Sequence, residues 1–178
     1  MQGVPIARNS NCSGGAPVDF RWHSCADAGG HVEAAVAALM AAIDNPHRRW
    51  NPYNLSLARS EFRKRIELAA SGFAKPVEHV KDIGNSPVVP MFELRWDREI
   101  RVTEVDGRGR QTFRIIKVRL LHAEPPQFGL CAVGLHAHEK LIFPNDVRQT
   151  RASQDAQIGV AVERYNSGYA SRWGFTDW

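Results

Sequence analysis

The sequence predicts an α+β fold built as one domain, and three observations predict it. A short alternating segment is followed by two segments with apolar residues at helical spacing, beyond Pro76 the pattern switches to a period of two, and the chain closes on a third helical pattern. The later strands are sequence neighbours joined by short turns, so antiparallel pairing is expected. The expected architecture is an antiparallel β-sheet of four to five strands with two N-terminal helices and a C-terminal helix. The helices should pack on one face of a curved sheet and leave the other face open.

Each element has its own signal. Val18-Asp-Phe-Arg-Trp22 alternates apolar and polar residues as a half-buried strand does, and Gly29-Gly30 ends it. From His31 to Ile43 the run HVEAAVAALMAAI is rich in alanine, the best helix former, and Asp44-Asn-Pro46 stops it. Asn54 offers a side-chain cap for a second helix from Leu55 to Ala70, with Leu57, Phe62, Ile66 and Ala69 for its buried stripe and Gly72 as a C-terminal stop. Met91-Phe-Glu-Leu-Arg-Trp96 alternates as a strand, Ile100 to Val105 extends or follows it, and Asp106-Gly-Arg-Gly109 is a turn. Thr112 to Leu121 (TFRIIKVRLL) is a β-branched strand ended by Pro125-Pro126, and Leu130 to His138 (LCAVGLHAH) is the next. Asp146 caps a closing helix from Val147 to Tyr165.

The domain is expected over residues 18–168. Residues 1–17 mix Asn, Ser and Gly without apolar periodicity and are expected to form a flexible arm, and 169–178 form an aromatic tail. At 178 residues, 43% hydrophobic and 24% charged, the chain is long enough for one core, and no Pro/Gly/Ser-rich linker divides it. No run reaches the roughly 18 consecutive apolar residues of a membrane helix, and the N-terminus has no secretory pattern, so the expectation is a cytoplasmic protein. Cys12, Cys25 and Cys131, three and widely spaced, fit reduced thiols better than a disulfide framework.

The net charge is +4 and the isoelectric point about 9.2, a field that attracts polyanions. The basic residues bunch at Arg59, Arg63, Lys64 and Arg65, at Arg108, Arg110, Arg114, Lys117 and Arg119, and at Arg148 and Arg151. Three such bunches suit a phosphate-binding surface, and a solvated face accounts for any one of them. His136-Ala-His138, His23-Ser-Cys25, His122 and Cys131 offer nitrogen and sulfur ligands enough for zinc, but at poor spacing. The chain has no C-x-x-C, no H-x-x-x-H and no H-x-E paired with a downstream C-x-x-C, so no metal is expected.

In order along the chain, LARSEFRKRIELAASGF, PVEHVKDI, MFELRW, FRIIKVRLL, AVGLHAHEKL and SQDAQIGVAVERY resemble the RelE superfamily of toxins, in its HigB-like, phage-derived branch. The resemblance covers about Phe20 to Tyr165. It implies a RelE-like fold and a small ribonuclease of a type II toxin-antitoxin pair that cleaves messenger RNA, commonly on the ribosome, without a metal or other cofactor. It also implies silencing by a cognate antitoxin, a helix-turn-helix protein. Carried over by motif, Lys81 matches the lysine of "VK-x-L", Arg95 the arginine of "FELR", Arg114 the arginine of "YRV" and Lys140 a lysine at the end of the following strand. The chain departs from the family in its N-terminal arm, an insertion about Asp97 to Gln111, the aromatic tail and a strand end that reads HAHEK.

Metal-free RNA cleavage requires a deprotonated ribose 2′-oxygen, a stabilised phosphorane charge and a protonated leaving oxygen. Arg95 and Arg114, on adjacent strands, are expected to clamp the scissile phosphate bidentately. Period two places His136, His138 and Lys140 on one strand face, where an imidazole can act as acid or base near neutral pH. Lys81, Arg63, Lys117 and Arg119 are the expected substrate-binding cations. Trp96 and Phe128 can stack on bases, but core packing is the favoured role for both. Two readings stay open, an RNA-cleaving toxin and a module of the same fold that grips RNA, the ribosome or a protein partner without cutting. A structural protein of a phage or mobile element is a third. The first two are separated by whether Arg95 and Arg114 converge beside His136, His138 or Lys140.

Overall fold

The computed structural model describes residues 8–25, 30–84, 86 and 88–175. Three helices, α1 (His31–Ala42), α2 (Pro52–Ala70) and α3 (Val147–Gly168), surround one sheet whose strands are β1 (Asp19–Trp22), β2 (Arg48–Arg49), β3 (Val80–Asp82), β4 (Met91–Val105), β5 (Gln111–Ala123) and β6 (Cys131–Glu139). The order is β1-β6-β5-β4-β2, with β3 also pairing β4. The α+β class stands, and the all-antiparallel sheet of four to five strands is corrected to a mixed sheet of six among the described residues. β1 runs parallel to β6, Asp19 lying opposite Cys131. Helix α1 follows β1, so β1 has no hairpin partner and takes the free edge of β6, where the long connection leaves it parallel.

β4 and β5 form one long hairpin from Met91 opposite Ala123 to Val105 opposite Gln111, with an irregularity between Trp96 and Ile100. The 97–111 segment that departs from the family pattern is thus this bulge and the distal half of the hairpin. At its tip the Asp106 carboxylate accepts from the backbone N–H groups of Arg108 and Arg110, both at 2.9 Å. Gly134 of β6 is required for packing, because a Cβ there would lie 2.8 Å from the Trp22 ring.

Side chains of β4 to β6 alternate between two cores. On the first face Leu39 and Ile43, following α1, and Phe62 and Ile66 of α2 pack on Leu94, Trp96, Val118 and Leu120. Trp96 meets Phe62 edge to face at 5.2 Å and donates to the Glu61 carbonyl at 3.1 Å, which fixes it as a core residue. On the second face Ala161 and Tyr165 of α3, with Trp173 and Phe175, pack on Leu121, Val133 and Leu135. The expected open face is therefore corrected. α3 folds back over the β6–β5 end, because Leu121, Ala123, Cys131, Val133 and Leu135 give that end a second apolar surface.

The ends of the domain also differ from expectation. Of the flexible arm, residues 1–7 lie outside the described residues. Residues 8–17 are anchored, with Cys12 1% exposed in a 3₁₀ turn, Ala74 N–H donating to the Cys12 carbonyl and Gly15 N–H to the Gly72 carbonyl, each at 2.9 Å. The Asn, Ser and Gly residues of this stretch serve turn hydrogen bonds rather than mobility. In the tail, Tyr169–Gly174 form a 3₁₀ segment, Trp173 is buried and Phe175 stacks on Phe128 at 5.3 Å, while residues 176–178 lie outside the described residues. α2 begins before the expected Asn54. Asn51 is its cap, accepting from the Asn54 N–H at 2.7 Å, and Pro52 occupies the first turn where no N–H is needed. Asp146 caps α3 as expected, accepting from Gln149 N–H at 2.8 Å. Among the described residues, no helix is long and apolar enough to cross a membrane.

Candidate functional site

The part of the second face that α3 leaves uncovered is highly charged. Residues paired across antiparallel strands share a face, so the register sets out its rows. Lys81 lies opposite Glu93, Glu93 opposite Leu121, and Leu121 opposite His136. Arg95 lies opposite Arg119, and Arg119 opposite His138. Beyond them Lys140 N–H donates to the Lys117 carbonyl at 2.7 Å. Glu93 and Asp97, which flank Arg95 on β4, interleave with this cationic set.

The two arginines are tied to those carboxylates. Arg119, with a side chain only 1% exposed, reaches Asp97 at 2.6 Å and Glu93 at 3.4 Å. Arg95 reaches Asp97 at 3.1 Å and Glu93 at 3.5 Å, and its Nη1 donates to the Val77 carbonyl at 2.6 Å. Burial alone would raise the Asp97 carboxyl, but the hydrogen bond from Arg119 and the charges of both arginines outweigh it and hold it below its ordinary range. Three carboxylates, Glu93, Asp97 and Asp82 at the pocket wall, against the five cations Lys81, Arg95, Lys117, Arg119 and Lys140 leave the patch cationic.

β6 supplies the titratable groups. Burial first, then the charges of His136, Arg119 and Lys140, push His138 down to about 3, so its ring is neutral at pH 7. Its Nδ1 has no hydrogen-bond partner among the described residues. His136 stacks on it at 5.5 Å and is held from α3, with Nε2 2.6 Å from Gln157 Oε1 and Nδ1 accepting from Arg164 at 3.1 Å. Those partners fix a neutral tautomer with the proton on Nε2. Lys140 is lowered by burial together with the Arg119 and Arg95 charges, against an opposing pull from Glu93. Lys81, Glu93, His138 and Lys140 line a pocket of about 150 Å³, closed on one side by Gln154 and Ile158 of α3. At about 30 Å³ per water it holds about five waters, or a small anion in their place.

The structure brings together Lys81, Arg95, Lys117, Arg119, His138 and Lys140, with His136 at the covered margin. It does not bring Arg114 or Arg63. Arg114 lies opposite Val102 near the hairpin tip and pairs with Glu104 at 2.7 Å. Five residues separate it from Arg119, roughly 16 Å of strand at about 3.3 Å per residue. The expected Arg95–Arg114 pair is therefore not formed: register places Arg119, not Arg114, opposite Arg95. Arg63 belongs to α2, on the other side of the sheet, and pairs with Glu33 of α1 at 2.6 Å. Sequence reasoning missed Glu93 and Asp97, although the alternation Glu93-x-Arg95-x-Asp97 places all three on one strand face. It also missed Gln154, Gln157 and Arg164 on α3, which no local signal ties to the sheet. Comparison with protein-family models, with curated proteins and with solved structures finds no match to this chain.

Proposed function

We propose that the chain is a metal-independent endoribonuclease of the RelE/HigB-like toxin kind, which binds a phosphodiester of messenger RNA on the second face of its sheet. The observation that carries the reading is the pocket in which a neutral His138 with a free Nδ1 lies beside Lys140, Lys81 and the Arg95–Arg119 pair. Lys81 and the outward edge of Arg95 supply positive charge for the phosphate. Lys140, with its lowered proton affinity, and His138 are the two proton carriers. A phosphate entering the pocket offsets the Arg119 and Lys140 charges that, after burial, depress His138, and so raises its basicity. The coarse α+β order, with two helices before the β4–β6 strands and a closing helix, supports the reading. On this reading the target lies in the cytoplasm, and a cognate antitoxin masks the same face.

A second reading is favoured by one observation. Arg114 stands apart from Arg95, and both site arginines already have carboxylate partners, which suits a module that grips RNA or a protein without cutting. Induced expression of the wild type beside Lys140→Ala, Lys81→Ala and Arg114→Ala separates the two, with growth and new 5′ ends in messenger RNA followed by primer extension. The nuclease reading expects arrest and discrete 5′ ends, reduced at least about 100-fold in Lys140→Ala, the lower range for loss of an acid-base group, and little changed in Arg114→Ala. Intact RNA in the wild type leaves the binding module.

A further inference from the structure

Away from this face, three residues from distant parts of the chain converge in a buried cluster. Cys12 comes from the N-terminal 3₁₀ turn, His122 from the end of β5, and Glu124 from just beyond it, two residues on and hence on the same side as His122. Their exposures are 1%, 0% and 5%. One ligand atom from each lies within 4.8 Å of the other two. Cys12 Sγ is 3.7 Å from His122 Nε2, and Nε2 is 3.1 Å from Glu124 Oε1.

We propose that Cys12, His122 and Glu124 bind one divalent transition-metal ion of the zinc class, in a structural site that fastens the N-terminal turn to the end of β5. The two separations from His122 Nε2 agree with tetrahedral coordination. Zn–S near 2.3 Å and Zn–N or Zn–O near 2.0–2.1 Å, at tetrahedral angles, put sulfur about 3.5 Å from nitrogen and nitrogen about 3.3 Å from oxygen. Thiolate, imidazole and carboxylate are also the mixed donor set that this ion takes, whereas Mg²⁺ and Ca²⁺ require oxygen.

Charge points the same way. A thiolate and a carboxylate offset the two charges of the ion, so the occupied cluster is neutral in a site with almost no solvent. A proton on Nε2 serves one acceptor well and leaves the sulfur at 3.7 Å, while an ion at the centre serves all three. The surroundings hold the carboxylate and the ring plane in place, while His122 Nδ1 has no hydrogen-bond partner among the described residues. The Asn11 N–H donates to Glu124 Oε2 at 2.8 Å, the Ser10 hydroxyl donates to Oε1, and Phe92 stacks on the His122 ring at 5.7 Å. Of the three ligands Glu124 alone borders an open depression, with Arg8, Asn11 and Phe92. The set is invisible to motif spacing, because 110 residues separate Cys12 from His122.

The test uses the full chain stripped of metal with a chelator and titrated with Co²⁺, then with Zn²⁺. The expected result is one equivalent of Co²⁺ in a tetrahedral visible spectrum with a thiolate charge-transfer band, displaced by Zn²⁺ and accompanied by a higher melting temperature. Cys12→Ser should lose the charge-transfer band and more than about 10-fold in affinity, the least that even outer-shell changes cost, while Cys25→Ser keeps both. Should Cys12→Ser fail to fold, thiol alkylation of the wild type mapped by mass spectrometry gives the same answer, since Zn²⁺ protects Cys12 if it is a ligand. A wild-type chain that takes up no Co²⁺, a band that survives Cys12→Ser, or Cys12 alkylated equally with and without Zn²⁺ overturns the proposal.

Discussion

The Arg119 guanidinium is held between Asp97 at 2.6 Å and Glu93 at 3.4 Å with its own side chain almost wholly covered, so deleting it leaves two carboxylates to share Arg95 alone. Arg119→Ala is expected to cost about 3–5 kcal/mol, the range for one partner removed from a buried pair. Adding Asp97→Asn to that variant should recover part of the loss, which urea unfolding of the single and double variants measures. His138 gives a pH dependence whose sign follows from its environment. Its folded value near 3 lies below the roughly 6.5 of an unfolded histidine, so the unfolded chain takes the proton first. The stability in question is present above about pH 6.5 and is lost as the pH falls toward 3. His138→Gln should therefore lose less stability between pH 7 and pH 5 than the wild type. His23, pushed down to about 4 by burial and by the Arg164 and His136 charges, keeps part of that acid limb in both proteins. Equal acid losses in the two chains would assign the limb elsewhere.

At the scale of elements, α2 offers a choice between two asparagines three residues apart. Asn51 accepts the Asn54 N–H and has extended backbone, as a cap should, whereas Asn54 only donates that N–H. Asn51→Ala is expected to cost about 1 kcal/mol and Asn54→Ala well under half of that, read from thermal unfolding. The sequence signal pointed to Asn54 because Leu55 begins the apolar run, and it overlooked that Pro52 is best placed in a first turn. What was legible follows the same logic. α1, α3 and the Met91–Ala123 hairpin carry strong local periodicity or turn chemistry, and they lie within a few residues of expectation. β2 and β3 span two and three residues, too short for a period to register. The parallel β1–β6 pairing depends on contacts more than a hundred residues apart. The candidate site divides the same way. Alternation alone set His136, His138 and Lys140 on one face, but which arginine faces Arg95 depends on register, and there the expectation of Arg114 gave way to Arg119.

The whole molecule is a sheet between two cores, and that arrangement separates stability from the site. α2 packs its side chains on one face and α3 on the other, with the sheet backbone between. Ile66→Val in the first core should cost about 0.5–1.5 kcal/mol and Leu135→Ala in the second about 2–5 kcal/mol. With no shared neighbours and a sheet between them, the two losses should add to within about 0.5 kcal/mol in the double variant. Their effects on the charged face should differ. The Leu135 carbonyl accepts from Arg164 Nη1 at 2.8 Å, and the same Nη1 reaches His136 Nδ1, so loosening α3 at Leu135 disturbs the histidine row and the wall that Gln154 and Ile158 give the pocket. Ile66 touches none of these groups. NMR titration of the histidines in each single variant measures the difference: His136 and His138 should move in Leu135→Ala and stay at wild-type values in Ile66→Val. Shifts of equal size in both variants would mean that the two cores move as one unit and that the sheet transmits strain across its thickness.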